Sequence, residues 1–86
     1  MDILVSKPTD SQINAMKSKP VWSCGVSEFD WSYDSDETAL IIEGEVTVKY
    51  GTKNVSFVAG DLVVFPQGLS CVWHVKKPVR KHYMFS

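Results

Sequence analysis

The chain has 86 residues, 44% apolar and 22% charged, with a formal net charge of -1 at pH 7. That length supports one domain with a thin core, and the composition is that of an ordinary globular chain rather than a disordered one. The near-neutral balance excludes a global field for nucleic acid or anionic membrane, and no apolar run nears the ~18 residues of a bilayer span.

Charge is uneven all the same. Five acids lie between Glu28 and Glu37, and Lys76, Lys77, Arg80 and Lys81 cluster near the C-terminus. Solvated barrel faces and rims account for such runs; guidance of an anionic ligand or partner is the alternative. The two cysteines, Cys24 and Cys71, are too few for a disulfide scaffold, and MDILVSKPTD lacks the basic and apolar regions of a leader. A cytoplasmic protein with free thiols is expected, an organellar one after transit-peptide removal being the other option.

In chain order, KPTDSQINAMKSKP is the best helix candidate. Thr9 and Gln12 have capping-box spacing, Ile13 and Met16 share a face, and Pro20 closes a helix of about two turns. From Val21 onward the pattern is strands and turns. Trp22, Cys24 and Val26 alternate with small or polar residues, as do Phe29, Trp31 and Tyr33. Thr38 to Ile42 suits a strand buried on both faces. Val46, Val48 and Tyr50 alternate with polar residues, and Val55 and Phe57 resume after a turn at Gly51 to Asn54. A turn at Ala59-Gly60-Asp61 precedes LVVF, and Phe65-Pro66-Gln67-Gly68 fits a β-turn. Cys71 to Val75 forms a further strand, and Pro78 introduces a last one ending at Phe85. Seven or eight short strands predict an all-β jelly roll or closed barrel.

The glycines, proline and acid go further. Gly25 is followed by VSEFD, then Trp31-Ser32-Tyr33, three residues, Glu37, six residues and Gly44. Gly60 is followed by DLVVF, then Pro66-Gln67-Gly68, two residues, Cys71, three residues and Val75. Gly44 and Gly60 are expected where strands turn. This double pattern, with fifteen residues between Gly44 and Gly60, resembles the two motifs of the cupin superfamily. VSEFDWSYDSDET, IIEGEVTV, GDLVVFPQGL and CVWHVKKPVRKHY resemble a branch of small single-domain cupins. That branch is related to ethanolamine-utilisation cupins and to the barrel domains of (S)-ureidoglycine aminohydrolase.

The resemblance implies a single cupin barrel over residues 1–86, with 1–20 an N-terminal arm carrying the short helix and 21–86 the double-stranded β-helix. Its metal-bearing members direct two histidines, a glutamate and a third histidine into one pocket. Here Trp31, Tyr33 and Cys71 stand at the histidine positions, and only Glu37 remains of the four. An alternative register would put Asp30 and Ser32 there instead; the aromatic alternation favours Trp31 and Tyr33.

Glu37 is the sharpest candidate, since a carboxylate near the start of a buried strand needs a partner, a proton or a metal. It is a candidate acid or base, or a structural carboxylate. Cys71 is a candidate nucleophile or soft ligand, or a small buried residue. Trp31, Tyr33 and Trp73, the last sharing parity with Cys71, form with Glu37 and Cys71 a candidate pocket, or else core filling. Arg80 and His82 share a face, and either border the mouth toward an anionic ligand or lie on a surface strand. His74 should point outward.

The leading expectation is a small-molecule-binding cupin without the usual histidine metal centre, taking a polar or anionic ligand. One alternative is an enzyme of hydrolase or isomerase type using Glu37 and Cys71. If a divalent zinc, iron or manganese ion is held, its ligands are Glu37, Cys71 and Tyr33, a thiolate favouring zinc or iron over manganese. The other alternative is a structural or interaction module whose barrel is filled. A homodimer is expected, because so thin a core gains from pairing.

Overall fold

Alternation of apolar and polar residues after Pro20 produces an antiparallel sheet that bends around one core, with a single helix before it. The structure, a computed structural model, describes every residue from Met1 to Ser86. In chain order the elements are β1 (Leu4–Ser6), α1 (Asp10–Lys17), β2 (Val21–Cys24), β3 (Ser27–Ser32), β4 (Glu37–Tyr50), β5 (Lys53–Val58), β6 (Leu62–Phe65) and β7 (Ser70–Phe85).

The helix starts where the capping box places it. Thr9 Oγ1 accepts from the Gln12 amide at 3.2 Å, and Gln12 Oε1 accepts from the Thr9 amide at 2.8 Å. Each bond satisfies an amide that the first helical turn would leave without a partner. Met16, with Ile13, packs onto Leu40, Leu62 and Met84, so the helix covers the outside of the sheet.

Two long strands organise the barrel. β4 and β7 pair antiparallel along most of their length, with register shifts between Ile41 and Val46. On either side of that break they take different second partners. The first half of β4 pairs β6 and the second pairs β5. β7 pairs β3 over Ser70–Val75 and β2 over Val79–His82. Two sheet halves result, and their inner faces share one core that includes Ile41, Val46, Phe57, Val63, Phe65 and Val79. This is the all-β jelly roll that the strand pattern implies.

Two expected boundaries are corrected. Gly44 does not end a strand; it sits inside β4 at φ +109°, within the bulge. A Cβ there would lie 2.6 Å from the Pro78 carbonyl oxygen and 2.7 Å from Val79 Cα, so only glycine fits. Pro78 likewise starts no new strand. It lies in β7 at the break between the Glu45–Lys77 and Glu43–Arg80 pairs, where no ladder amide is required. The N-terminal arm also contributes more than a helix: β1 pairs β6, and Ile3 enters the core.

Candidate functional site

Strand alternation aims one face of β3, the start of β4 and the odd positions of β7 inward. Together they enclose a cavity of about 200 Å³. Except for Glu37 and Lys81, every residue lining it is aromatic. Trp31 and Phe85, 49% and 55% exposed, form its open end, while Tyr33, Glu37 and Lys81 lie at its buried end.

The walls are rings in van der Waals contact. Phe29 stacks on Trp73 at 14° with centroids 5.9 Å apart, and Trp22 meets both edge-on. Tyr33 stacks on Phe65 at 4.9 Å and accepts a hydrogen bond from Trp73 Nε1 at 3.3 Å. All three tryptophans of the chain therefore border this one space.

At the buried end, Lys81 Nζ donates to Glu37 Oε2 at 2.5 Å, and both side chains are more than nine-tenths buried. β4 and β7 deliver the pair: Glu37 opens β4, Lys81 lies near the end of β7, and the strands are neighbours in the sheet. The ammonium also lies 4.8 Å from the Trp73 ring centroid, 5.0 Å from that of Trp22 and 5.6 Å from that of Phe65. Those ring faces give a desolvated cation favourable contacts that water would otherwise supply. Burial nevertheless lowers the Lys81 pKa from its ordinary value, with the Glu37 charge acting the other way. Burial also raises the Tyr33 pKa, and the Glu37 charge adds to that shift.

Of the expected pocket residues, Trp31, Tyr33, Glu37 and Trp73 do line this space. Cys71 does not. It is buried in the core beside the cavity, its Sγ donating to the Trp31 carbonyl at 3.6 Å. Burial pushes its thiol up to about 11, opposite to what a nucleophile requires. Arg80 and His82 are corrected too. β7 alternation sends them outward, Arg80 to a solvent-exposed position beside Glu43 and His82 Nδ1 to the Lys19 carbonyl at 2.9 Å. His74 also points outward, pairing with Glu28 at 2.9 Å.

The candidate metal ligands do not fit a divalent ion together. Glu37 is engaged by a cationic side chain, Tyr33 and Cys71 are held toward their neutral forms, and nowhere do three His, Cys, Asp or Glu side chains converge.

The sequence does not single out Lys81, which sits in a basic cluster that reads as solvated, nor Trp22, Phe29, Tyr83 and Phe85 as lining residues. Parity held the signal: Lys81 lies in step with the apolar Val79, Tyr83 and Phe85.

Comparison with known proteins gives this geometry a lineage. The family model of the EutQ-like cupin domain matches residues 12–83. The chain belongs to the EutQ-like cupin family. The cupin is 43% identical to a DUF861 family protein from Thermotoga maritima, covering 99% of this chain and 100% of that one with a TM-score of 0.94. It is 25% identical to the Clostridium difficile EutQ protein over 73% of this chain and 50% of that one, with a TM-score of 0.68. A putative ethanolamine utilization protein Q from Salmonella typhimurium shares the fold at 23% identity and a TM-score of 0.68, covering 94% of this chain and 66% of that one. No curated protein matches the sequence. No helix of the cupin is long and apolar enough to cross a membrane.

Proposed function

We propose that this EutQ-like cupin binds a small molecule in the aromatic cavity, with the ligand's polar end at Glu37 and Lys81 and its apolar body between the rings. One observation carries the reading: a buried ion pair forms the closed end of an aromatic cavity that opens to solvent between Trp31 and Phe85. A buried ion pair is a poor device for stability, because desolvation of both charges offsets their attraction. It is a good device for orientation. The ammonium keeps donors beyond the one given to Glu37, and no protein donor engages Glu37 Oε1.

The chemistry of the site narrows the ligand. At about 200 Å³ the cavity lies below the ~300–1,000 Å³ typical of drug-sized sites, so a small metabolite fits best. The pair has no net charge, and Arg80 and His82 stand outside the cavity. Both facts favour a neutral, dipolar hydrogen-bonding group over a full anion. An open cavity also suits a binding protein better than a barrel filled by its own side chains.

The indole N–H signals of Trp22, Trp31 and Trp73 provide the test. In a screen of small alcohols, amides and carbonyl compounds by two-dimensional NMR, a ligand should move all three signals together and saturate at one molecule per chain. A panel that leaves the indoles unmoved, or moves them without saturation, would sink the proposal.

A further inference from the structure

Lys81 is the only buried lysine of the eight in the chain. A lysine so placed, at the closed end of an apolar cavity and beside a carboxylate, has the surroundings of an amine that reacts with carbonyl carbon. We propose that Lys81 is a nucleophile that condenses reversibly with a small aldehyde or ketone to form an imine, with Glu37 carrying the protons. This rests on the reading of the cavity as a small-molecule site and specifies the chemistry of what enters.

The geometry supplies each requirement. Nucleophilic attack needs a neutral amine, and Glu37 Oε2 at 2.5 Å is positioned to take the ammonium proton. The surrounding rings of Trp22, Phe65 and Trp73 exclude water from Nζ, and burial already lowers the pKa of the ammonium. Phe29 and Trp73 both line the cavity and give an aryl or short alkyl body aromatic surface to lie against.

The step balances without an oxidant or reductant. Proton transfer from Lys81 to Glu37 frees the amine lone pair, which forms the C–N bond to the carbonyl carbon. The carbonyl π electrons move to oxygen, which takes the proton back from Glu37 to give a carbinolamine. Glu37 then takes one of the two protons left on nitrogen and delivers it to the hydroxyl. Water leaves as the nitrogen lone pair closes the C=N bond to give an iminium, and Glu37 takes the last nitrogen proton, leaving a neutral imine beside a protonated carboxyl. Hydrolysis by the reverse path restores lysine and carbonyl compound.

Reductive trapping tests the idea on the unmodified protein. The chain is incubated near neutral pH with benzaldehyde and sodium cyanoborohydride, and its peptides are mapped by mass spectrometry over time. Lys81 is expected to acquire an N-benzyl group at least about tenfold faster than exposed Lys53 or Lys77, a modest share of the ~10²–10⁴-fold that positioned proton transfer contributes. Lys81→Arg, which keeps the charge opposite Glu37, should leave only slow labelling of the surface lysines. Benzyl alcohol, which has the ring but no carbonyl, separates the two claims. If it shifts the three indole signals while labelling follows surface exposure and leaves Lys81 last, the imine proposal is overturned and the binding site stands. If it shifts nothing and Lys81 is not labelled, both fall.

Discussion

Lys81 is the residue on which the site turns, and its partner makes it testable. Lys81→Met strands a buried Glu37 carboxylate and should cost about 3–5 kcal/mol in urea denaturation. Glu37→Leu combined with Lys81→Met removes both charges, and should bring stability back to near the wild type or above it. Equal destabilisation by the single and double variants would mean that the pair is not coupled. Cys71 gives a second test at this scale. Its thiol, raised from 9.0 to about 11 by burial, stays protonated in the fold after the unfolded chain has begun to ionise. Protons bound by the native but not the unfolded state make stability fall with rising pH. Relative to Cys71→Ser, the wild type should therefore lose stability between about pH 9 and 11, and no difference in slope would contradict a buried thiol. The sequence exposed Glu37, Trp31, Tyr33 and Trp73 because motif spacing marks those positions. It hid Lys81 because a lysine amid Lys76, Lys77 and Arg80 looks solvated unless its parity with Val79 and Tyr83 is weighed. Cys71 misled for another reason: its motif position is shared with a ligand, while its side chain turns into the core.

At the scale of elements, local chemistry was more legible than strand length. The helix began and ended as its capping box and Pro20 require, because those signals act within a few residues. Thr9→Ala should lower stability by about 0.5–2 kcal/mol, measured by thermal melting, through loss of the bond to the Gln12 amide. Strand length is masked, because Gly44 and Pro78 are turn residues by habit yet lie inside β4 and β7. Only their apposition across β4 and β7 reveals a shared bulge, and sequence does not display apposition. Gly44→Ala tests that account. The backbone conformation alone should cost about 1–3 kcal/mol in a non-glycine residue, and the contact with Pro78 and Val79 adds to it. Alanine at the exposed turn residue Gly51, where an added Cβ meets nothing, lacks the contact penalty and should be milder in a chemical denaturation series. Equal losses at both positions would argue against the close approach.

For the whole molecule, the barrel is a scaffold that holds three tryptophans and one ion pair around a single space. Trp73 joins the core to the cavity, touching Trp22, Phe29, Phe57 and Phe65. Trp73→Ala should cost about 3–5 kcal/mol, a large share of the stability of so small a domain. The central claim, however, concerns the cavity's polarity. The measurement that reaches it most directly is a pair of tryptophan-fluorescence titrations with benzyl alcohol and toluene, which share a ring and differ at one polar end. They are run on the wild type and on the Glu37→Leu, Lys81→Met variant. The account predicts that the wild type prefers the alcohol by about tenfold or more, the scale of a hydrogen bond to a charged group, and that the double variant prefers toluene. The same preference in both proteins would contradict it.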